Sequence, residues 1–348
     1  MAALQMILGE RVAAGLRRER IFRDRNYPLD NFNDEDMHER YRFTRRGLMR
    51  LMDLLAAGLN HPTKRSHAID GRLQICIALR FYATGTVHTG HGDHHGVSKA
   101  SACRIVRRVS SHLIRMKGDV IRFPTTPQEV MATQRGFSDV AGFPRIVSAV
   151  DCTHVLLKGS RLGEDAYVYI NRKRVKSINV QLMCNSRYKI TNVVARWPGS
   201  AHDSRILQHS NIGQEFEAGN KQGILIGDSG YPLKPCLMTP IAEPQSPAEI
   251  SYNRAHPRTR VFIEQVNGQL KMKFPCLMVG LHVGPKQACR TIVACAVLFN
   301  LAKDMQEPEH ELNQHLPDDP HAEIYPGAAR AAGLAIRAQI AQDIHNRL

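Results

Sequence analysis

The chain has 348 residues, 43% of them apolar, and carries a formal charge of +15 with an isoelectric point near 9.7. That length holds two domains, or one with a sizeable appendage. The positive excess points to a polyanionic partner, nucleic acid above all, with a merely basic soluble protein as the competing reading. No apolar run reaches membrane-spanning length and the N-terminus lacks a signal-peptide pattern, which argues against a membrane or secreted protein. Eight cysteines contain no Cys-x-x-Cys pair. Most sit in apolar runs, such as Cys76, Cys184 and Cys295, and read as reduced core thiols of an intracellular protein.

The first fifty residues are rich in arginine: Arg17, Arg18, Arg20, Arg23 and Arg25, then Arg40, Arg42, Arg45, Arg46 and Arg50. Glu35, Glu39 and Arg42 stand at helical spacing, so part of this charge reads as a solvated face. Leu48, Leu51, Leu54 and Leu55 predict an amphipathic helix that stops near Gly58 and Pro62. Leu73, Ile75, Ile77, Leu79 and Phe81 predict a more buried helix ending at Gly85. A third helix follows, capped by Ser98 or Ser101, with Ile105, Val109 and Leu113 on one face and Arg104, Arg107 and Arg108 elsewhere. Helix, glycine-containing turn and capped basic helix outline a helix-turn-helix, whose second helix would enter a major groove. A bundle helix with exposed arginines gives the same pattern. Between these helices, His88, His91, Asp93, His94 and His95 are metal ligands by residue type. Their spacing matches no standard zinc arrangement, so a solvent-exposed loop is the simpler reading.

Phe123 to Glu129 read as a break between two parts of the chain. Strand patterns begin at Arg145. Arg145–Val150 comes first and Asp151 ends its apolar run. Ser177–Cys184 and Lys189–Arg196 follow, joined by a turn at Asn185-Ser-Arg. A helix is expected from Asp203 to Phe216. Ile224–Gly227 reads as a short buried strand with Asp228 at its carboxyl end, where a side chain is well placed to point into a site. A fifth short strand is expected near Leu237–Thr239. Pro257 then precedes a helix with the stripe Phe262, Val266, Leu270 and Phe274, and Glu264 lies on another of its faces. Residues 306–325 read as an acidic, proline-containing flexible linker. Residues 328–348 read as a helix whose stripe, Leu334, Ile336, Ile340 and Ile344, must pack on the body or on a partner chain.

Three strands, a helix, a fourth strand and a late helix bearing a glutamate follow the order of an α/β, RNase H-like mixed sheet flanked by helices. An all-α, helix-turn-helix-like module would precede it. The pieces Val150-Asp-Cys-Thr-His154, Trp197-Pro-Gly-Ser-Ala-His-Asp-Ser204, Gly227-Asp-Ser-Gly-Tyr-Pro232 and Ile263-Glu-Gln-Val-Asn-Gly-Gln-Leu-Lys-Met-Lys-Phe274 resemble those of the PIF/Harbinger-superfamily DDE transposases. The resemblance spans nearly the whole chain. It implies a metal-dependent DNA-cleaving domain over 126–305, between the helical module 1–125 and a linker and helix at 306–348. Asp151, Asp228 and Glu264 would be its catalytic triad. It also implies a Myb-like DNA-binding partner protein and residence in nucleus and cytoplasm, with a homo-oligomer left open. Two positions depart from the family pattern: Asn267 stands where an aromatic residue is usual, and Val297-Leu-Phe-Asn300 lacks the histidine that many relatives place before the asparagine.

Three carboxylates brought together would repel one another without a cation, so their convergence argues for metal. Hard oxygen ligands suit Mg²⁺ or Mn²⁺, and a two-metal centre both activates water and stabilises a leaving oxygen. Asp203 is either a helix cap or a fourth metal-binding carboxylate. His154, three residues after Asp151 on a strand, would face the other way. Arg172, Lys173 and Arg174 are either phosphate contacts or solvated turn residues. Three functions are compatible with these residues: a DDE-type nuclease, a DNA-binding protein that no longer cleaves, and a scaffold that recruits a DNA-binding partner.

Overall fold

The computed structural model describes residues 24–63, 67–85, 95–159, 162–309, 325, 327 and 331–347. Arg17, Arg18, Arg20, Arg23, His88, His91, Asp93, His94 and residues 310–324 of the acidic linker lie outside them.

The N-terminal half is helical. It comprises α1 (Pro28–Asn31), α2 (Asp34–Tyr41), α3 (Arg45–Leu59), α4 (Gly71–Thr84), α5 (Lys99–Arg115), α6 (Lys117–Val120) and α7 (Pro127–Ala141). Short polar side chains satisfy the first free backbone N–H groups: Asn33 for α2, Thr44 for α3, Asp70 for α4 and Ser98 for α5. The apolar stripes expected for α3, α4 and α5 are buried, except that Leu54 is 48% exposed. The expected break at 123–129 is shorter than the sequence suggested. Thr126 and Glu129 form a reciprocal capping box, Pro127 occupies the first turn, and α7 begins there.

The sheet has five strands: β1 (Ile146–Leu156), β2 (Ser177–Cys184), β3 (Ile190–Pro198), β4 (Ile224–Ile226) and β5 (Leu237–Met238). Their order is β3-β2-β1-β4-β5. The first three pair antiparallel, while β4 lies parallel to β1 and β5 parallel to β4. Every residue of β2 is buried, as expected for a strand covered on both faces. A 3-10 segment, Glu164–Tyr169, precedes β2.

Two helix boundaries differ from expectation. The segment from Asp203 to Phe216 forms two helices, α8 (Asp203–Gln208) and α9 (Asn211–Glu217). Ser210 divides them: its hydroxyl donates to Leu207 O and accepts from Gly213 N, closing one helix and capping the next. The late helix α10 runs from Pro247 to Lys273, with Pro257 inside it. A second capping box, Ser246 with Glu249, starts α10, and the helix continues past the one N–H that Pro257 lacks.

Beyond α10 come α11 (Cys276–Val279), α12 (Pro285–Asp304) and α13 (Ala331–His345). Ile340 and Ile344 of α13 are buried in the main core, and His345 Nδ1 lies 3.2 Å from Ser251 Oγ of α10, so this helix packs on the body. A smaller apolar cluster gathers Val147, Val150 and Leu225 with Ile212 and Phe216 of α9, and the larger of the two runs from Met37 through the sheet to Ile344. Polar side chains tie its halves together. Buried Glu307, just after α12, accepts from Thr44 N at 2.6 Å and Thr44 Oγ1 at 2.7 Å. The carboxylate lies over Gly47, where a Cβ would collide with it. Asn300 of α12 accepts from Ile190 N at 2.9 Å and donates to Ile190 O at 2.8 Å and Val120 O at 3.1 Å.

Candidate metal centre

The register of the parallel strands places the first two carboxylates. Ala149 of β1 lies beside Ile226 of β4. Two residues further along each chain are Asp151 and Asp228. β4 has already ended there, whereas β1 continues, so Asp151 sits mid-strand rather than at a strand end as expected. Asp228 is held by its own turn, its Oδ1 accepting from Gly230 N at 3.0 Å.

The third carboxylate is Asp203. It is the first residue of α8, and His202 occupies the cap position without a side-chain cap bond. Asn179 of β2 donates to Asp203 Oδ1 and to Ala201 O, each at 2.8 Å, which fixes the carboxylate and the turn before it. Asp151, Asp203 and Asp228 each offer a carboxylate oxygen within 4.8 Å of the others, and all three are half-buried. Among the described residues this is the one such group of His, Cys, Asp or Glu side chains.

α10 supplies the next residue. Asn267 is only 6% exposed and donates from Nδ2 to Asp151 Oδ2 at 2.8 Å. Its Oδ1 has no hydrogen-bond partner. Glu264, one turn earlier, is half-buried and paired with Arg260; it is not one of the three clustered carboxylates. Lys271, one turn after Asn267, is also near enough to feel Asp151.

The electrostatics follow from crowding. Asp151 is raised well above the usual carboxylate range, first by burial and then by Asp228 and Asp203, with Arg260 acting against them. Burial pushes Lys271 down to about 8, opposed by Asp151 and reinforced by Lys173. Cys152 and Tyr231, whose Sγ and Oη lie 3.4 Å apart, are both raised, mainly by burial.

The donor set fits a hard divalent cation. It consists of three carboxylates, one of them raised by its like-charged neighbours, and a buried amide oxygen without a partner. Asp151, Asp203 and Asp228 would hold such an ion. Asn267 and Asn179 orient two of them, as polar partners around metal ligands do. Sequence reading missed Asn179 and met Asn267 only as a departure from the family pattern. The available signal was a polar residue in each of two buried patterns, Asn179 in β2 and Asn267 in α10. Asn267→Leu keeps the side chain's bulk and deletes its donor. Mn²⁺ affinity, measured by calorimetry, should fall about tenfold or more. Unchanged affinity would remove Asn267 from the site.

The other candidate residues are not among the clustered carboxylates. His154 Nδ1 contacts Ser177 Oγ at 3.0 Å. Arg172 and Lys173 are exposed in the turn before β2. Arg104 and Arg107 are exposed on α5, whereas Arg108 is half-buried and bonds the His61 ring and Asn60 O. His95 is buried rather than exposed, its ring 3.5 Å from Tyr41 Oη and from Asn26 O.

Residues 150–300 match the DDE superfamily endonuclease model. The chain is 36% identical over 307 residues to "Putative nuclease HARBI1" of Homo sapiens, covering 83% of this chain and 87% of the relative. It is 38% identical over 280 residues to the protein of that name from Bos taurus, covering 79% and 80%. "Protein ALP1-like" of Arabidopsis thaliana is 22% identical over 284 residues, covering 77% and 68%. No solved structure gives a significant match. The motifs around Asp151, Asp203 and Asp228 fall inside the matched segment, and the likeness to the nuclease-named relatives extends well beyond it: the chain belongs to the harbinger-derived DDE endonuclease family.

Proposed function

We propose that this chain is a divalent-metal-dependent DNA endonuclease of the transposase-derived type, built on an RNase H-like sheet. The observation that carries the reading is the convergence of Asp151, Asp203 and Asp228 within 4.8 Å at one end of the parallel strands. The basic charge supports DNA as substrate.

Mg²⁺ or Mn²⁺ bound here would supply an activated water and stabilise the leaving oxygen of a phosphodiester. The chain's own residues provide the frame. Asp151, Asp203 and Asp228 are the ligands, and Glu264 is within the same helix as Asn267 should it join them. Asn267 and Asn179 keep Asp151 and Asp203 in fixed rotamers, so little reorganisation is left for the moment of reaction. Arg260 and Lys271 offset part of the negative charge that would otherwise repel a phosphate. Exposed Arg172 and Lys173 would contact phosphate, and exposed Arg104 and Arg107 leave α5 open to DNA or to a Myb-like partner. Nucleus and cytoplasm remain the compartments of this reading.

Supercoiled plasmid is the test. The wild-type chain should nick it with Mn²⁺ or Mg²⁺ and not with EDTA, and Asp151→Asn, Asp203→Asn and Asp228→Asn should each fall to background. Full nicking by Asp203→Asn would return Asp203 to a structural role. DNA binding without any metal-dependent nicking would favour the silent DNA-binding reading, for which the Arg260 pair that engages Glu264 is the supporting observation.

A further inference from the structure

From Ala166 to His202 the chain has seven lysines and arginines and no aspartate or glutamate. Four of them, Arg172, Lys173, Arg174 and Lys176, are exposed around one turn. Three large apolar side chains are exposed beside them: Tyr167 at 68%, Ile170 at 40% and Val175 at 42%. A turn that was only solvated would not combine these features.

The turn is rigidly mounted. Ile170 and Lys176 form an antiparallel bridge. Asn171 is 7% exposed; its N donates to Val175 O at 3.0 Å, its Oδ1 accepts from Val175 N at 3.2 Å, and its Nδ2 donates to Ser177 Oγ at 3.1 Å. Arg174 closes the turn in the left-handed region, φ 57°, its N donating to Asn171 O at 2.8 Å. The base of the hairpin is tied to the metal centre's own elements. Leu157 N, just past β1, donates to Lys176 O at 2.8 Å, and Ser200 N, three residues before Asp203, donates to Val168 O at 3.2 Å. Lys173 is also near enough to act on Lys271, which feels Asp151.

We propose that the Tyr167–Lys176 hairpin seats an unpaired DNA strand flanking the scissile phosphate. Arg172, Lys173 and Arg174 hold its phosphates, and Tyr167 stacks on an unpaired base. A base within a duplex has its faces covered, so an exposed ring gains a stacking partner only from a base that has left the stack. The proposal rests on the nuclease reading and adds to it a preference for DNA that is unpaired next to the cut.

The experiment uses the full chain carrying Asp228→Asn, so that bound DNA stays intact, in Mg²⁺. Two DNAs of one sequence are compared, one fully paired and one with a single-stranded flank containing 2-aminopurine. The parent should bind the flanked DNA about tenfold more tightly and quench the 2-aminopurine. Tyr167→Ala should lose both effects and keep its affinity for paired DNA, while Tyr167→Phe should retain both. Replacing Arg172, Lys173 and Arg174 with alanine should weaken both DNAs and lower the salt slope by about 2 to 3. Quenching and preference unchanged in Tyr167→Ala would overturn the hairpin proposal, as would a loss of self-association in place of a loss of DNA preference. If the wild-type chain still nicks plasmid in that case, the nuclease reading stands alone. If it neither nicks nor binds DNA, both fall.

Discussion

Millimolar Mn²⁺ should raise the melting temperature of the wild-type chain by a few degrees, and Asp228→Asn should abolish the rise. An ion that binds the folded state alone at a hundred times its Kd stabilises it by about 2.7 kcal/mol, which for a chain of this size amounts to a few degrees. Asp228→Asn removes one of only three carboxylates. It also removes a like charge beside half-buried Asp151, so the metal-free variant should melt no lower than the wild type. The pH dependence has a definite sign. Asp151 binds its proton more tightly when folded than at its ordinary value of 3.8. Its contribution to metal-free stability is therefore full below that value and lost as pH rises through the raised folded value. Mn²⁺ must displace the same proton, so the melting shift should grow over the same window. A wild-type protein indifferent to Mn²⁺ across that range would rule out the centre.

Asn300→Ala should cost about 4 kcal/mol in urea denaturation. Asn300 is 1% exposed and satisfies three backbone groups, two on Ile190 and one on Val120. Alanine leaves all three buried, at about 1–3 kcal/mol for each group, reduced wherever water enters the space. Asp304, one turn along α12, is the control: it is 51% exposed and pairs with Lys189, so Asp304→Ala should change stability by under about 1 kcal/mol. Equal effects of the two substitutions would show that the clamp contributes nothing specific.

The strands were legible because their apolar runs are short and bounded by turn residues, as in Ile224–Ile226 between Gly223 and Asp228. The caps at Ser98 and Gly85 were legible for the same local reason. α7 was not, because proline and threonine at 124–127 read as a break, although Thr126 and Glu129 spell a capping box. The length of α10 was hidden by Pro257, which tertiary packing tolerates in mid-helix. Asp151 and Asp228 stand out as acids after apolar runs. The ambiguity of Asp203 is of another kind: a cap and a cluster member occupy the same position in sequence, and only the fold, which puts His202 at the cap position and Asp203 beside Asp151 and Asp228, distinguishes them. Asn267 looked like a flaw in a family pattern, whereas its amide bonds Asp151 across 116 residues of chain.

Glu307 has an implication for which parts of this chain can be exchanged. By holding Thr44, the cap residue of α3, it makes the start of that helix depend on a residue 263 positions later. Exchanging the first 125 residues for an unrelated helical module would leave that carboxylate without its Thr44 partners and take Val120 from Asn300. The front of the chain should therefore tolerate substitution on exposed faces, such as that of α5, more readily than replacement of the whole segment.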